Sequence, residues 1–347
     1  MFSSHAFDQL HAQVAQTGLD ALGLVCATQS VTFDAYLAGL QPDLPGGLAY
    51  LAKNAQARQS LNAVLDGARS VICGLLRLPR AFEGWARFCA IGDYHAVVRQ
   101  SLAELEAVLR ENDVIHGTTR ICVDSAPVLE REFAVRAGLG WIASNHLLVH
   151  PQFGAGIVLG ELITTDDLSA FEGVLSKNTV TFEAANLVPG RHCVCHGAHA
   201  CAAQCPTGAL SPVGYRPSSC LAYLTTQHPG ALAEPFARAM GDCVWGCDRC
   251  QRACPVAQYE FGDEMPLPYR DLTPERVLLS SAKQLTRALA GTPMAAAHPR
   301  ILQRNVCYVL GNQHDVARVP LLQQVAQNNP CDWVRDAAQR SLMMCRV

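Results

Sequence analysis

Charged side chains are scarce in this chain, 16% of its 347 residues, while half of the residues are hydrophobic. That balance excludes an extended disordered protein and predicts a compact globular one. The length allows two or three domains with cores of their own. A run of 18 or more apolar residues is also missing, so no transmembrane helix is expected. The opening "MFSSHAFDQLHAQVAQ" has neither a positive n-region nor an apolar h-region. No secretory signal is therefore expected, and the protein is read as soluble and cytoplasmic.

Cysteine, by contrast, is abundant. In a chain without an export signal, sixteen cysteines point to metal rather than to disulfides. Nine of them fall between Cys193 and Cys254. The other seven, Cys26, Cys73, Cys89, Cys122, Cys307, Cys331 and Cys345, are scattered and read as small buried thiols.

Three regions follow from patterning. Residues 1–170 read as α/β (α+β): "GLDALGLVCA", "ARSVICGLL", "TRICVDSAP" and "GIVLGELITT" predict strands, and Val98, Leu102, Leu105 and Leu109 recur at helical spacing. Residues 171–265 hold the clustered cysteines among Gly, Pro and His with little periodicity, so metal rather than a hydrophobic core is expected to order them. Residues 266–347 turn helical again. "PRILQRNVCYVLGN", "VPLLQQVAQ" and "CDWVRDAAQRSLMMC" are amphipathic segments broken by Gly311, Asn312 and Pro330, the pattern of a HEAT-like helical repeat. Residues 267–347 carry ten basic and five acidic residues, +5, against 17 basic and 25 acidic, −8, in residues 1–266. The C-terminal surplus suits either a phosphate-binding face or a solvated arginine face.

The cysteine spacing is the most specific signal. "CVWGCDRCQRACP" sets Cys247, Cys250 and Cys254 in C-x2-C-x3-C-P, with Cys220 upstream. "CHGAHACAAQCP" sets Cys195, Cys201 and Cys205 in the ferredoxin run C-x2-C-x2-C-x3-C-P, except that Ala198 stands where the second cysteine belongs. In two-cluster ferredoxins the cysteine before proline ligates the other cluster. One 4Fe-4S cluster would then take Cys205, Cys220, Cys247 and Cys250, a complete set. The other would take Cys195, Cys201 and Cys254, with its fourth position filled by Cys193, His196 or His199, left to solvent, or the cluster lost. Zinc is the alternative metal for grouped Cys and His, but paired C-x3-C-P endings belong to ferredoxins.

Over nearly its whole length the chain resembles the epoxyqueuosine reductases, cobalamin- and iron-sulfur-dependent enzymes that finish queuosine synthesis on tRNA. The stretches that carry the likeness include "GGLAYLAKNAQARQSLNAVLDGARSVI", "GDYHAVVRQSLAELE", "VDSAPVLEREFAVRAGLGWIASNHLLVHPQFG", "CPTGAL", "CLAYLT", "WGCDRCQRACP" and "ILQRNVCYVLGN". The resemblance implies a cobalamin-binding domain over 1–170, a ferredoxin-like domain with two 4Fe-4S clusters over 171–265, and a HEAT-like domain over 266–347 that helps to hold tRNA. It implies removal of the epoxide oxygen as water, with two electrons from a low-potential donor and two protons, and a monomeric protein. Asp124 matches the family's proton donor, where enclosure against an apolar corrin would raise its pKa. Read without the resemblance, Asp124 ends a strand and caps the helix that follows. Tyr94, His95, Trp141, Asn145 and His150 match positions near the cofactor.

The chain departs from the family at "GWIASN", with Ala143 and Ser144 where glycine and lysine are usual, at Ala198, and at "CPVAQ" where "CPWN" is common. Two alternatives stay open: a cobalamin and iron-sulfur reductase of another substrate, in the manner of a reductive dehalogenase, and a non-catalytic electron-transfer protein that binds no cobalamin.

Overall fold

The computed structural model describes residues 4–40, 44, 46–195, 199–212, 214–256, 262 and 269–345. All four strands expected from sequence form, as β1 (Ala21–Val25), β2 (Ser70–Arg77), β3 (Thr119–Cys122) and, after the short hairpin β4 (Trp141–Ile142) and β5 (Leu148–Val149), β6 (Ile157–Thr164). They make one sheet in the order β1-β2-β6-β3, antiparallel throughout. Helices cover both of its faces, and β2 is buried along its length except at Arg77.

Strand alternation sorts the two cores. Ile72 and Leu76 of β2 pack with Val98, Leu102, Leu105 and Leu109 of the helix Tyr94–Glu111. Val71, Cys73 and Leu75 face the helix Glu130–Arg136 through Phe133 and Ala134. Gly74 of β2 lies directly across from Gly160 of β6. A Cβ on Gly160 would sit 2.6 Å from Val98, and one on Gly74 3.2 Å from Leu102, so the two glycines let the long helix lie close against the sheet.

A second core joins what patterning had separated. Leu221, Tyr223, Leu224, Met240 and Trp245 pack with Ile301, Leu302, Tyr308, Val334 and Ala338. Residues 221–245 thus pack into an apolar core shared with residues 301–338, where metal rather than a hydrophobic core was expected. The reason lies in the helix Arg300–Asn312, whose residues Ile301–Gly311 are all buried. Sequence made it amphipathic, but its polar side chains hold loops rather than face water. Arg304 is completely buried and donates to the carbonyls of Leu224, His228 and Gly230. Asn305 donates to Thr225 and Val244, and Asn312 to Ala237 and Gly241. Replacing Arg304 by methionine keeps its bulk but leaves those carbonyls unpaired. The variant is expected to lose about 3–5 kcal/mol in denaturant unfolding.

Of the seven scattered cysteines, Cys73, Cys89, Cys122, Cys307 and Cys345 are buried as expected, whereas Cys331 is half-buried and Cys26 is exposed. Among the described residues no helix is long and apolar enough to cross a membrane.

Candidate functional site

β3 ends at Cys122, and two residues later Asp124 turns into the left-handed region at φ 53°, which aspartate tolerates better than most residues. The helix Glu130–Arg136 is not capped by Asp124; its N-cap position is Leu129, without a side-chain cap. Asp124 is instead exposed and held from two sides. The Tyr94 hydroxyl donates to its Oδ2, and its backbone N–H donates to Glu130 Oε1 at 2.9 Å. The Asp124 and Glu130 side chains are also hydrogen-bonded to each other, which needs a proton on one of the two carboxyls.

Burial, and then the charge of Asp124, push the Glu130 carboxyl up to about 8. Burial and Asp124 likewise raise the Tyr94 phenol, so Tyr94 remains a donor. Tyr94 opens its helix behind the N-cap Asp93, which accepts from the backbone N–H of His95 and pairs with His95 Nδ1 at 2.7 Å. The Tyr94 and His95 rings stack with centroids 4.0 Å apart.

A third acid lies behind this pair. Glu161, midway along β6, stands opposite both Cys73 and Cys122. It is fully buried, and neither carboxyl oxygen has a protein partner. Burial first, then the charges of Glu130 and Asp124, raise it well above the usual carboxylate range. The sequence did carry a signal: Glu161 is the sole charge in "GIVLGELITT".

The acid site connects to the cysteines through the helix Glu130–Arg136. Arg131 donates to the carbonyl of His146, whose ring lies 5.8 Å from that of Tyr215. Tyr215 is hydrogen-bonded to Cys220 and also feels the charge of Cys250. Cys220 and Cys247 both lie close enough to Cys250 for their charges to act on it. Cys205 Sγ accepts from Leu210 N at 3.4 Å. Cys243, given no role from spacing, is hydrogen-bonded to Cys247.

A separate pocket is lined by Cys193, Cys195, Cys201 and Cys254. Trp141 and Asn145 line it too, which places these two sequence candidates beside the cysteines. His196 and Ala198 lie outside the described residues. His150 is fully buried, with Nε2 against the Asn178 carbonyl at 2.8 Å and Nδ1 accepting from Gln152 N at 3.2 Å, so both ring nitrogens are used within the fold. Among the described residues no three His, Cys, Asp or Glu side chains converge on a single-ion position, as a tetrahedral zinc demands. A cubane instead takes one thiolate per iron, from ligands placed around a cavity.

Residues 194–257 match the 4Fe-4S double cluster binding domain. The chain is 30% identical over 280 residues to the epoxyqueuosine reductase of Cyclobacterium marinum, an alignment covering 76% of this chain and 84% of that protein. It is 29% identical over 323 residues to that of a Synechococcus species, covering 86% and 92%. The fold is shared with the crystal structure of an epoxyqueuosine reductase with a tRNA-Tyr epoxyqueuosine-modified stem loop (TM-score 0.76, 22% identity, 97% and 89% of the two chains). It is shared equally with the enzyme of Streptococcus thermophilus (TM-score 0.79, 19% identity, 97% and 89%). The resemblance first carried by scattered motifs is thus matched along most of the sequence, and the chain belongs to the epoxyqueuosine reductase family.

Proposed function

We propose that this protein is an oxidoreductase that reduces epoxyqueuosine to queuosine in tRNA, with cobalamin and two 4Fe-4S clusters as cofactors. The observation that carries the reading is the hydrogen-bonded acid pair Asp124 and Glu130 just after β3, joined through Arg131, His146 and Tyr215 to clustered cysteines. In this reading residues 1–170 bind cobalamin, 171–265 form the ferredoxin-like unit, and 266–347 form the HEAT-like unit that helps to hold tRNA. The surroundings of Asp124 suit a large planar cofactor. The acid is exposed, and Tyr50, 49% exposed, is near enough to feel its charge. Tyr94 and His95 would line that face. Trp141 and Asn145 would stand between it and the iron-sulfur unit.

Opening the epoxide to the alkene consumes two electrons and two protons and releases water. When bound, cobalamin supplies a strongly reducing metal centre, and the clusters supply electrons singly from a low-potential donor. The chain's own residues supply position and protons. Asp124 gives a proton to the departing oxygen. Glu130, protonated below about pH 8, returns one to Asp124 through their hydrogen bond. Tyr94 keeps the Asp124 carboxyl oriented and stays protonated throughout.

Four of the ten basic residues of 267–347 are held internally. Arg276 pairs with Asp271, Arg318 with Glu275 and Asp315, and Arg340 with Asp336, while Arg304 is buried. Lys283 and Arg287, exposed and one turn apart, remain as candidates for phosphate contacts. The protein acts as a cytoplasmic monomer in this reading.

The test is nucleoside mass spectrometry of epoxyqueuosine-containing tRNA incubated anaerobically with reconstituted protein, cobalamin and a low-potential reductant. Conversion to queuosine is expected. Absence of conversion by protein shown to hold cobalamin and iron would overturn the reading.

A further inference from the structure

The ferredoxin spacing leaves one cluster a thiolate short, at Ala198. We infer that Cys193 supplies the missing ligand, so that this cluster is held by Cys193, Cys195, Cys201 and Cys254, and that the 144–145 turn donates hydrogen bonds to it. The inference rests on the two-cluster reading above and adds a ligand set particular to this chain.

Four observations carry it. First, these four cysteines line one cavity, whereas His199, the N-cap of the short helix Ala200–Ala203, is not among its lining residues. Cys193 also lies one residue outside the match to the double-cluster domain, which begins at residue 194. The ferredoxin spacing therefore does not choose it over His196 or His199.

Second, Cys193 is held in place. The Gly190 N–H donates to the Ile142 carbonyl at 3.0 Å, and the Cys193 N–H to the Gly190 carbonyl at 3.2 Å, which closes a turn on the end of β4. Gly190 adopts φ +80°, and a Cβ there would lie 2.5 Å from Ser144 Oγ. Glycine is thus what lets this turn approach the 143–145 segment.

Third, Cys193 Sγ already accepts a hydrogen bond. It accepts from the Ser144 backbone N–H at 3.2 Å and lies 3.4 Å from Ser144 Oγ. Hydrogen bonds of this kind stabilise a thiolate and tune a cluster's potential. Two places where the chain departs from its family, the "AS" of "GWIASN" and the shifted cysteine, therefore meet at one sulfur.

Fourth, Asn145 lines the same cavity and has an unused side-chain donor. The residue is 7% exposed. Its Oδ1 accepts from Leu147 N at 3.2 Å, but Nδ2 has no protein partner. A buried N–H is rarely left unpaired, and a sulfide or thiolate of a cluster in this cavity is an acceptor of the right kind. Ligation itself involves no redox step: each of the four thiols releases its proton and binds one iron.

The experiment is anaerobic reconstitution with iron and sulfide, read by metal and sulfide content and by the EPR spectra of the reduced and oxidised protein. The native protein should hold about eight irons per chain in two cubanes. Cys193→Ala should lose one reduced-cluster signal, or convert it to a three-iron signal on oxidation, and leave the other unchanged. Combining Cys193→Ala with Ala198→Cys should restore both signals, because it returns the ligand to the ferredoxin position. Asn145→Leu should keep the full iron content and shift one cluster to a more negative midpoint potential. Unchanged iron and spectra in Cys193→Ala, or the same loss produced by His196→Ala alone, would overturn the assignment while leaving the two-cluster reading intact. A native protein holding a single cluster would overturn both.

Discussion

Substituting Asp124 by asparagine is expected to lower single-turnover conversion by roughly 10²–10⁴-fold, the range for loss of a positioned general acid. The amide keeps the size of the carboxyl and an oxygen to accept from Tyr94, so thermal unfolding and cobalamin binding, followed by absorbance titration, should stay near those of the native protein. Only the exchangeable acidic proton is removed. The pH profile tests the same device from another side. Glu130 is pushed up to about 8 by burial and by Asp124, with Arg131 acting the other way. The shared proton is therefore present below that pH and lost as pH rises through it, and conversion should fall over the same interval. Glu130→Gln should abolish that alkaline limb while lowering the rate below it. A fully active Asp124→Asn protein would remove the acid from the mechanism.

Cys250→Ala is the second large effect. Cys250 shares its surroundings with Cys220, Cys247 and Tyr215, and loss of its thiolate should remove the cluster with the complete ligand set. Metal analysis should show up to about four irons fewer per chain, and conversion of tRNA should cease because electrons no longer reach the reaction. The protein should nevertheless remain folded. Cys220 and Cys247 are packed against the core that joins Leu224, Trp245, Tyr308 and Ala338, and that core is built of apolar contacts. Far-UV circular dichroism close to native, with the iron signal lost, is the expected combination. Unfolding of the whole 221–345 region would show that metal, after all, orders it.

Much of this molecule is legible in its sequence. The four strands of the sheet and the helix carrying Val98, Leu102, Leu105 and Leu109 were set by apolar periodicity, because each buries a face whose spacing is fixed by backbone geometry. Iron-sulfur chemistry was set by cysteine spacing, because a cubane demands several thiolates on tight turns and few other structures do. Asp124, Tyr94 and His95 were reached through motif resemblance, and they come together as neighbours.

Contacts between distant segments were not legible. Glu161 reads as one acid in an apolar strand, and only strand register sets it facing Cys73 and Cys122 behind Glu130. Arg304 reads as a surface arginine on an amphipathic helix, yet packing of residues 221–240 around that helix encloses it. Ser144 and Cys193 are 49 residues apart, so no local pattern relates them. Sequence determined the elements and the kind of chemistry, since both depend on residues near one another in the chain. Tertiary structure decided which acid stands behind Asp124, what orders the cysteine region, and which sulfur faces the cavity, since burial and close approach arise only when separate segments pack together.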